Sequence, residues 1–360
     1  MSGLFRAGCA TLLLLLALGA LSPAAEAQPF GGGGYPVYDG THQYIRIPHH
    51  PSLNPTGAFT FEAWVALDNP GGTCRSIAGK NWEQSWWIGI CPVGSPAKPT
   101  LRSYLKGATS QRNGGTIPAG LTHIAVVFTG IRRLHYINGE KVLDVAETGP
   151  LPTSTDEMRI GSDVKWQFSP SGNIMEVRLW SVARTEAQIR SAINVPITAP
   201  QAGLVAVWSM NGPQDVVGSR DGTVINDLIF LTTGVIPNCA GLGNATQLCL
   251  QNRFLVSAQW RTSGVGEPTD GSAKVVPVVN PGSGIFWFFA PDNWEIMVKT
   301  LNGCALNSRF WVFSASTTNL FYRIYVFDVT SGVGKTYFNY PGPPAPAVTD
   351  TDAFAGCPSI

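Results

Sequence analysis

Residues 122–145 read THIAVVFTGIRRLHYINGEKVLDV, and they limit the possible folds more than any other stretch. Asn138-Gly139 separates two runs of β-formers, and both residues tolerate the positive φ that a two-residue type I′ hairpin turn needs. That turn sets a register: Ile137 opposite Glu140, Tyr136 opposite Lys141, His135 opposite Val142, Leu134 opposite Leu143, Arg133 opposite Asp144. Leu134, Tyr136, Leu143 and Val145 then share one face, and Arg133 and Asp144 make a cross-strand ion pair on the other. One face inward and one toward water is the pattern of an antiparallel sheet in a sandwich. Just upstream, residues 124–128 are almost continuously apolar, which predicts a buried strand.

The same texture recurs along the chain. In residues 58–67 (AFTFEAWVAL), Phe59, Phe61, Ala63 and Val65 alternate with Thr60, Glu62 and Trp64. Ile45 and Ile47 mark an earlier strand, and residues 76–78, 85–90, 101–105, 158–160 and 204–208 read as others. In residues 173–180 (NIMEVRLW), Met175, Val177 and Leu179 form the expected core face and Ile174, Glu176, Arg178 and Trp180 the opposite one. One helix is predicted, over 185–193: Thr185 and Gln188 make a capping box, and Ile189 and Ile193 a short apolar stripe. From residue 239 onward, seven strands are expected, at 252–262, 274–279, 285–289, 295–299, 310–314, 320–328 and 335–338. The fold class is all-β, with a larger jelly-roll sandwich followed by a smaller one of immunoglobulin-like kind.

The N-terminus has a different character. Arg6, an apolar run at 11–21 and Ala25-Glu26-Ala27 describe a secretory signal peptide ending at residue 27. The expected organisation is a signal peptide (1–27), a Gly-rich leader (28–37), a first domain (38–226), a linker (227–243) and a second domain (244–360). No later stretch is apolar for the length a membrane helix needs. Six cysteines follow the signal segment, an even number that in an exported chain predicts disulfides. Cys74–Cys91 flanks a hairpin, and the expected partners farther on are Cys239–Cys249 and Cys304–Cys357. A net charge of +1 with 13% charged residues argues against nucleic-acid binding, which needs a basic stripe.

FTFEAW, THIAVVF, YINGEKV, RIGSD, NIMEVRLWSVARTEAQI and GLVAVWSMN occur in that order and resemble the laminin-G-like, concanavalin A-like jelly-roll family. The resemblance covers about residues 38–226 and implies two packed antiparallel sheets with a shallow concave face. LCLQNRF, FWFFAPDNWEIMVK, LNGCALNSRFWVF and TDTDAFAGCP resemble a C-terminal β domain of exported bacterial proteins. The first resemblance leaves activity open, because that fold carries binding modules, adhesion modules and hydrolases. Its glucan-cutting members place two glutamates on one strand. The comparable strand here offers Glu176 alone, followed by Arg178, so no catalytic residue is assigned. Some members hold calcium near the first and last strands, which points to Asp39 and Glu176, although Ile174 stands where many have an aspartate.

Other signals are weaker. Residues 332–336 (GVGKT) end like a P-loop, but Val329 replaces the required glycine and a strand follows, so a hairpin turn is expected. His49-His50 lacks a third ligand. Trp82, Trp86 and Trp87 could stack on sugar faces, with Asn81, Glu83 and Gln84 bonding hydroxyls. The opposing consideration is that alternation sends one of Trp86 and Trp87 into the core. The expectation is a secreted or cell-surface protein that binds an extracellular glycan or surface protein without catalysis and without a cofactor other than calcium. The alternative is a structural or adhesive surface component, with a glycoside hydrolase as the third reading.

Overall fold

The computed structural model describes residues 34–357, apart from 69–71, 108–110, 166–167, 210–211, 227, 233–237, 263–268, 278–279 and 342–344. The signal peptide and the start of the leader lie outside the described residues. The first domain contains β1 (Gly34–Asp39), β2 (Tyr44–Ile47), β3 (Phe59–Leu67), β4 (Arg75–Lys80), β5 (Trp86–Val93), β6 (Lys98–Leu105), β7 (Gln111–Thr116) and β8 (Thr122–Phe128). It continues through β9 (Arg132–Ile137), β10 (Glu140–Ala146), β11 (Met158–Ile160), β12 (Ser171–Trp180), helix α1 (Glu186–Ala192), β13 (Leu204–Trp208), β14 (Thr223–Ile225) and β15 (Ile229–Thr232).

These strands form two antiparallel sheets. The front sheet runs β10-β9-β8-β3-β12-β1-β15, with β13 sharing the β1 edge of β12. The back sheet runs β14-β2-β11-β4-β5-β6-β7. Phe59, Phe61, Ala63 and Val65 pack between them against Ile45, Ile47, Trp86 and Ile88, so the alternation read in β2 and β3 holds. Two expected boundaries move. Residues 34–37, expected as leader, belong to β1, where the chain bridges β12 and β15. The Tyr38 ring in β1 is buried against Gly161, where a Cβ would collide with it; Gly161 also has φ +87°. At the other end, β15 carries the first domain past residue 226.

The hairpin turn is as read: Asn138 and Gly139 have φ of +51° and +77°. Ile137 faces Glu140 and Tyr136 faces Lys141, but a bulge between Lys141 and Leu143 then shifts the register by one. His135 faces Leu143, and Leu134 faces Asp144. Asp144 pairs with Arg132 at 2.6 Å and with Lys141 at 2.8 Å, both at the surface. Arg133, expected outside, is buried inside the sandwich. Its guanidinium donates to Glu147 Oε1 at 2.5 Å and to the Ser103 carbonyl at 3.1 Å. Burial pulls that guanidinium down to about 10, while Glu147 opposes the shift, so it stays charged at neutral pH. Leu134 and Tyr136 face outward, beneath Ile189 of α1. The front sheet is apolar on both faces here because a helix, not water, covers the outer one.

The second domain contains β16 (Gln247–Leu250), β17 (Phe254–Arg261), β18 (Asp270–Ser272), β19 (Lys274–Val275), β20 (Ser283–Trp287) and β21 (Trp294–Asn302). After them come helix α2 (Cys304–Asn307), β22 (Phe310–Ser316), β23 (Phe321–Asp328), β24 (Val333–Asn339) and β25 (Val348–Phe354). One sheet runs β16-β17-β23-β24, with β18 on β17, and the other runs β19-β20-β21-β22-β25. Phe254, Val256, Ile296, Val298, Val312 and Ile324 form the core of this sandwich. Among the described residues, two five-stranded sheets replace the seven strands expected. The short strands β16 and β18 and the acidic β25 carry too little apolar alternation to signal themselves. The GVGKT stretch is the β23–β24 hairpin, and Lys335 pairs with Asp350 at 2.9 Å. The cysteines pair as expected: Cys74–Cys91, Cys239–Cys249 and Cys304–Cys357.

Replacing Glu147 by Ala strands the buried Arg133 charge and should cost about 3 kcal/mol in chemical denaturation. Asp144→Ala removes a screened surface pair and should leave the denaturation midpoint in place. Equal losses for the two variants would contradict the bulged register.

Candidate functional site

The outer face of the front sheet is built by three adjacent strands. From β3 come Thr60, Glu62 and Trp64, from β8 His123, and from β12 Met175, Glu176, Arg178 and Trp180. A bulge places Glu176 at φ +41°, a conformation that costs about 1–3 kcal/mol for a non-glycine residue. The extra residue changes the phase of the strand. Ile174, Val177 and Leu179 enter the main core, while Met175, expected there, packs with Trp64 on the outer face.

Glu62 is the centre of this face and has no exposure. Its carboxylate lies 2.5 Å from Arg184 Nη1, 3.7 Å from Arg178 Nη1 and 3.3 Å from His123 Nε2. Arg178 also donates from Nε to Glu176 at 2.8 Å. The same arginines fasten a roof. Arg178 donates to the carbonyls of Ala192 at 3.0 Å and Val195 at 2.9 Å, and Arg184 to that of Gln188 at 2.8 Å. Trp64 Nε1 donates to the Ile193 carbonyl at 3.2 Å. The roof is α1 with its following turn, and its N-terminus carries the expected Thr185–Gln188 capping box.

The second domain closes the face further. Phe338 of β24 stacks on Trp64 at 6.4 Å, and Arg190 of α1 lies 3.6 Å over the Tyr340 ring. Asn194 donates to the Thr336 carbonyl. The outer face of the front sheet is thus covered by the protein itself.

Burial raises the Glu62 carboxyl, but the approach of His123 and the guanidiniums of Arg178 and Arg184 outweigh it and hold it at about 2. Burial, helped by the two guanidiniums, pushes His123 below its usual value despite Glu62, so it is neutral at pH 7. Burial raises Glu176, with Arg178 opposing. Both carboxylates are thus salt-bridged and dry, without the open acid–base pair that glycoside cleavage needs. Glu62, His123 and Arg184 had no separate sequence signal. The FTFEAW alternation put Glu62 on the outer face, and only the cross-strand register brings it to Arg178.

The residues expected to bind sugar separate into three groups. Trp86 and Trp87 have no exposure. Trp86 fills the main core; Trp87 lies on the outer side of the back sheet, donates to Ser76 Oγ at 2.9 Å and is covered by Phe168. Neither can offer a face to a sugar, because both sides of the sheet are covered here. Asn81 is also buried: φ +58° places it in a turn, where its amide donates to Asp156 Oδ2 at 2.6 Å. Trp82 alone reaches the surface, edge-on to Tyr104 at 4.9 Å, with Glu83 and Gln84 exposed beside it. Neighbouring Lys80 is buried against His49, and burial takes its ammonium down to about 8 although Asp156 opposes this.

The expected calcium pair does not form. Asp39 faces Ser171 in the ladder, five residues along β12 from Glu176, and its carboxylate accepts from Thr41 N at 2.8 Å. Glu176 is bound by Arg178. Among the described residues, no three or more His, Cys, Asp or Glu are grouped to hold a metal ion.

Residues 39–190 match a laminin-G family model described as the concanavalin A-like lectin/glucanases superfamily. The first sandwich is a concanavalin A-like domain. Among solved structures, it is similar to a Bacteroides ovatus protein to which carbohydrate binding is ascribed, at 21% identity and a TM-score of 0.47 over 57% of this chain. The match spans 61% of that protein, less than two thirds of its length. A heptameric pentraxin from Limulus polyphemus matches at 14% identity and TM-score 0.36, covering 55% of this chain and 94% of its own. A sialidase carbohydrate-binding module from Ruminococcus gnavus, bound to α2,3 sialyllactose, matches at 12% and 0.35, covering 46% and 97%. No curated protein sequence matches the chain. Among the described residues, no helix is long and apolar enough to cross a membrane.

The folded Glu62 carboxyl sits below its ordinary 4.5, at about 2. Its stabilisation is therefore complete above pH 4.5 and is lost as pH falls through 2. Glu62→Gln should cost about 3 kcal/mol at pH 7 and flatten the loss of stability on acidification. Urea melts of both proteins from pH 7 to pH 2 check this; parallel curves would remove Glu62 from its central place.

Proposed function

We propose that this is an exported, non-catalytic protein that binds an extracellular glycan through the surface around Trp82. The observation that carries the reading is the partly exposed Trp82 side chain, braced by Tyr104 and flanked by exposed Glu83 and Gln84. An aromatic face beside polar side chains suits a sugar ring, which is apolar across its C–H face and polar at its rim. The superfamily description joins lectins with glucanases. The arginine-bound, covered state of Glu62 and Glu176 favours holding a glycan over cutting one. Three disulfides fit an oxidising compartment. In this reading binding needs no calcium.

A second reading, docking to a surface protein, draws on one observation: Phe289, Trp294 and Met297 of the second domain are about half exposed. Self-association or protein capture without glycan retention would favour it.

A pull-down on a panel of polysaccharides, with and without chelator, tests the first reading. Trp82→Ala should lower retention about tenfold with the fold intact, and chelator should change neither retention nor melting temperature. Trp87→Ala should instead cost about 3–5 kcal/mol of stability. Full retention by the Trp82 variant would overturn the assignment of this surface.

A further inference from the structure

The second sandwich meets the first domain through one of its sheets. Arg261 of β17 pairs with Glu140 at 3.5 Å, and Phe338 of β24 stacks on Trp64. The other sheet, β19-β20-β21-β22-β25, lies on the far side of the core. Its central strands come from FWFFAPDNWEIMVK and NSRFWVF, and both of their faces are apolar. Phe286, Ile296, Val298 and Val312 point into the core. On the opposite face the ladder sets Trp287 beside Trp294, Ile285 beside Met297, and Leu301 beside Trp311. An antiparallel sheet with one wet face would alternate apolar with polar side chains. Here Trp294 and Met297 are exposed, and Trp287, Trp311 and Phe313 are only partly buried. No further layer covers them among the described residues.

The rings are held in place. Trp311 Nε1 donates to Asn307 Oδ1 at 2.9 Å, and its indole lies so close over Gly303 that a Cβ there would come within 2.2 Å of it. Phe313 meets the same indole edge-on at 6.2 Å. Trp294 Nε1 donates to the Pro291 carbonyl at 3.2 Å. The unpaired charge on this face is positive. Lys299 stands opposite Phe313, exposed and without an ion-pair partner among the described residues. Lys274, also exposed, lies 4.7 Å over the Trp287 ring. The acids of these strands are engaged elsewhere: Glu295 is buried, Asp350 pairs with Lys335 and Asp352 with Arg309.

Two exposed cations among aromatic rings favour a negative partner. A second copy docking through the same face would set lysine against lysine. Rings already held lose little freedom on binding, and a ring face suits the C–H face of a sugar. Trp287 to Ser283 is four residues along β20, and Lys299, opposite Ser283, to Leu301 is two more. At about 3.3 Å per residue the platform is about 20 Å long, enough for more than one sugar unit. We propose that this outer face binds the chain of an acidic polysaccharide of the uronate class. It shares no residue with the Trp82 surface, where the exposed Glu83 would oppose an anion.

Binding of the two-domain protein to immobilised polygalacturonate and alginate tests the proposal. Methyl-esterified polygalacturonate, polyglutamate and phosphatidylglycerol vesicles serve as controls. Saturable binding to at least one uronate polymer is expected, about tenfold or more tighter than to any control and weakened by salt. Lys299→Glu reverses the central charge at an exposed position. It should weaken binding about tenfold and leave the melting temperature in place. Trp311→Ala should weaken binding by a similar factor, with the melting temperature reported alongside. Absence of saturable binding to both uronate polymers, equal binding of the ester, or full binding by the Lys299 variant overturns the proposal. Equal binding of polyglutamate or of the vesicles also overturns it, in favour of an acidic protein or a lipid surface. Trp82→Ala should leave uronate binding unchanged; its loss in that variant would overturn the placement on the second domain.

Discussion

The carboxylate of Glu62 holds the first domain's outer architecture together. It lies in the middle of the front sheet with no access to water, which is tolerable only because Arg184 and Arg178 meet it there. Both guanidiniums then spend their remaining donors on the carbonyls of α1 and its following turn. One buried charge thus recruits two cations, and these recruit the roof. Remove it and the arginines are left buried, the helix loses its anchors, and Trp64 loses the cover of Ile193. The bulge at Glu176 belongs to the same arrangement: it turns a second carboxylate toward Arg178 at the cost of a strained backbone.

That roof decides how the domains meet. With α1 across the outer face, Phe338 and Tyr340 of the second domain find an apolar and cationic surface in Trp64 and Arg190. The sheet carrying β17, β23 and β24 consequently faces the first domain, and its polar residues Gln259, Arg261 and Arg323 come to line an interdomain cavity. The first sandwich covers the outer face of its front sheet from within the chain, and its fold leaves function to its sites.

Much of the scaffold was legible in the chain. The Asn138-Gly139 turn, the alternation of Phe59 to Val65, the capping box at Thr185 and the cysteine pairing all rest on neighbours close in sequence. The misreadings share one cause. Arg133 was expected at the surface, Met175 in the main core, and Trp86 or Trp87 beside a ligand. Each depended on a bulge or on what covers a face, and neither is visible in a two-residue period. Asp39 and Glu176 were joined by resemblance, and the ladder register separates them.

The sequence by itself determined the strands, their turns and the two-sandwich plan, because φ preferences and polar–apolar alternation act between residues a few positions apart. Only the tertiary structure decided which charges are paired, which faces are covered and where a ligand can enter. Arg184 meets Glu62 across 122 residues, and Asn138 shares the interdomain cavity with a domain that begins about a hundred residues later. Contacts at that range are set by how whole sheets and helices pack, and no local pattern encodes them.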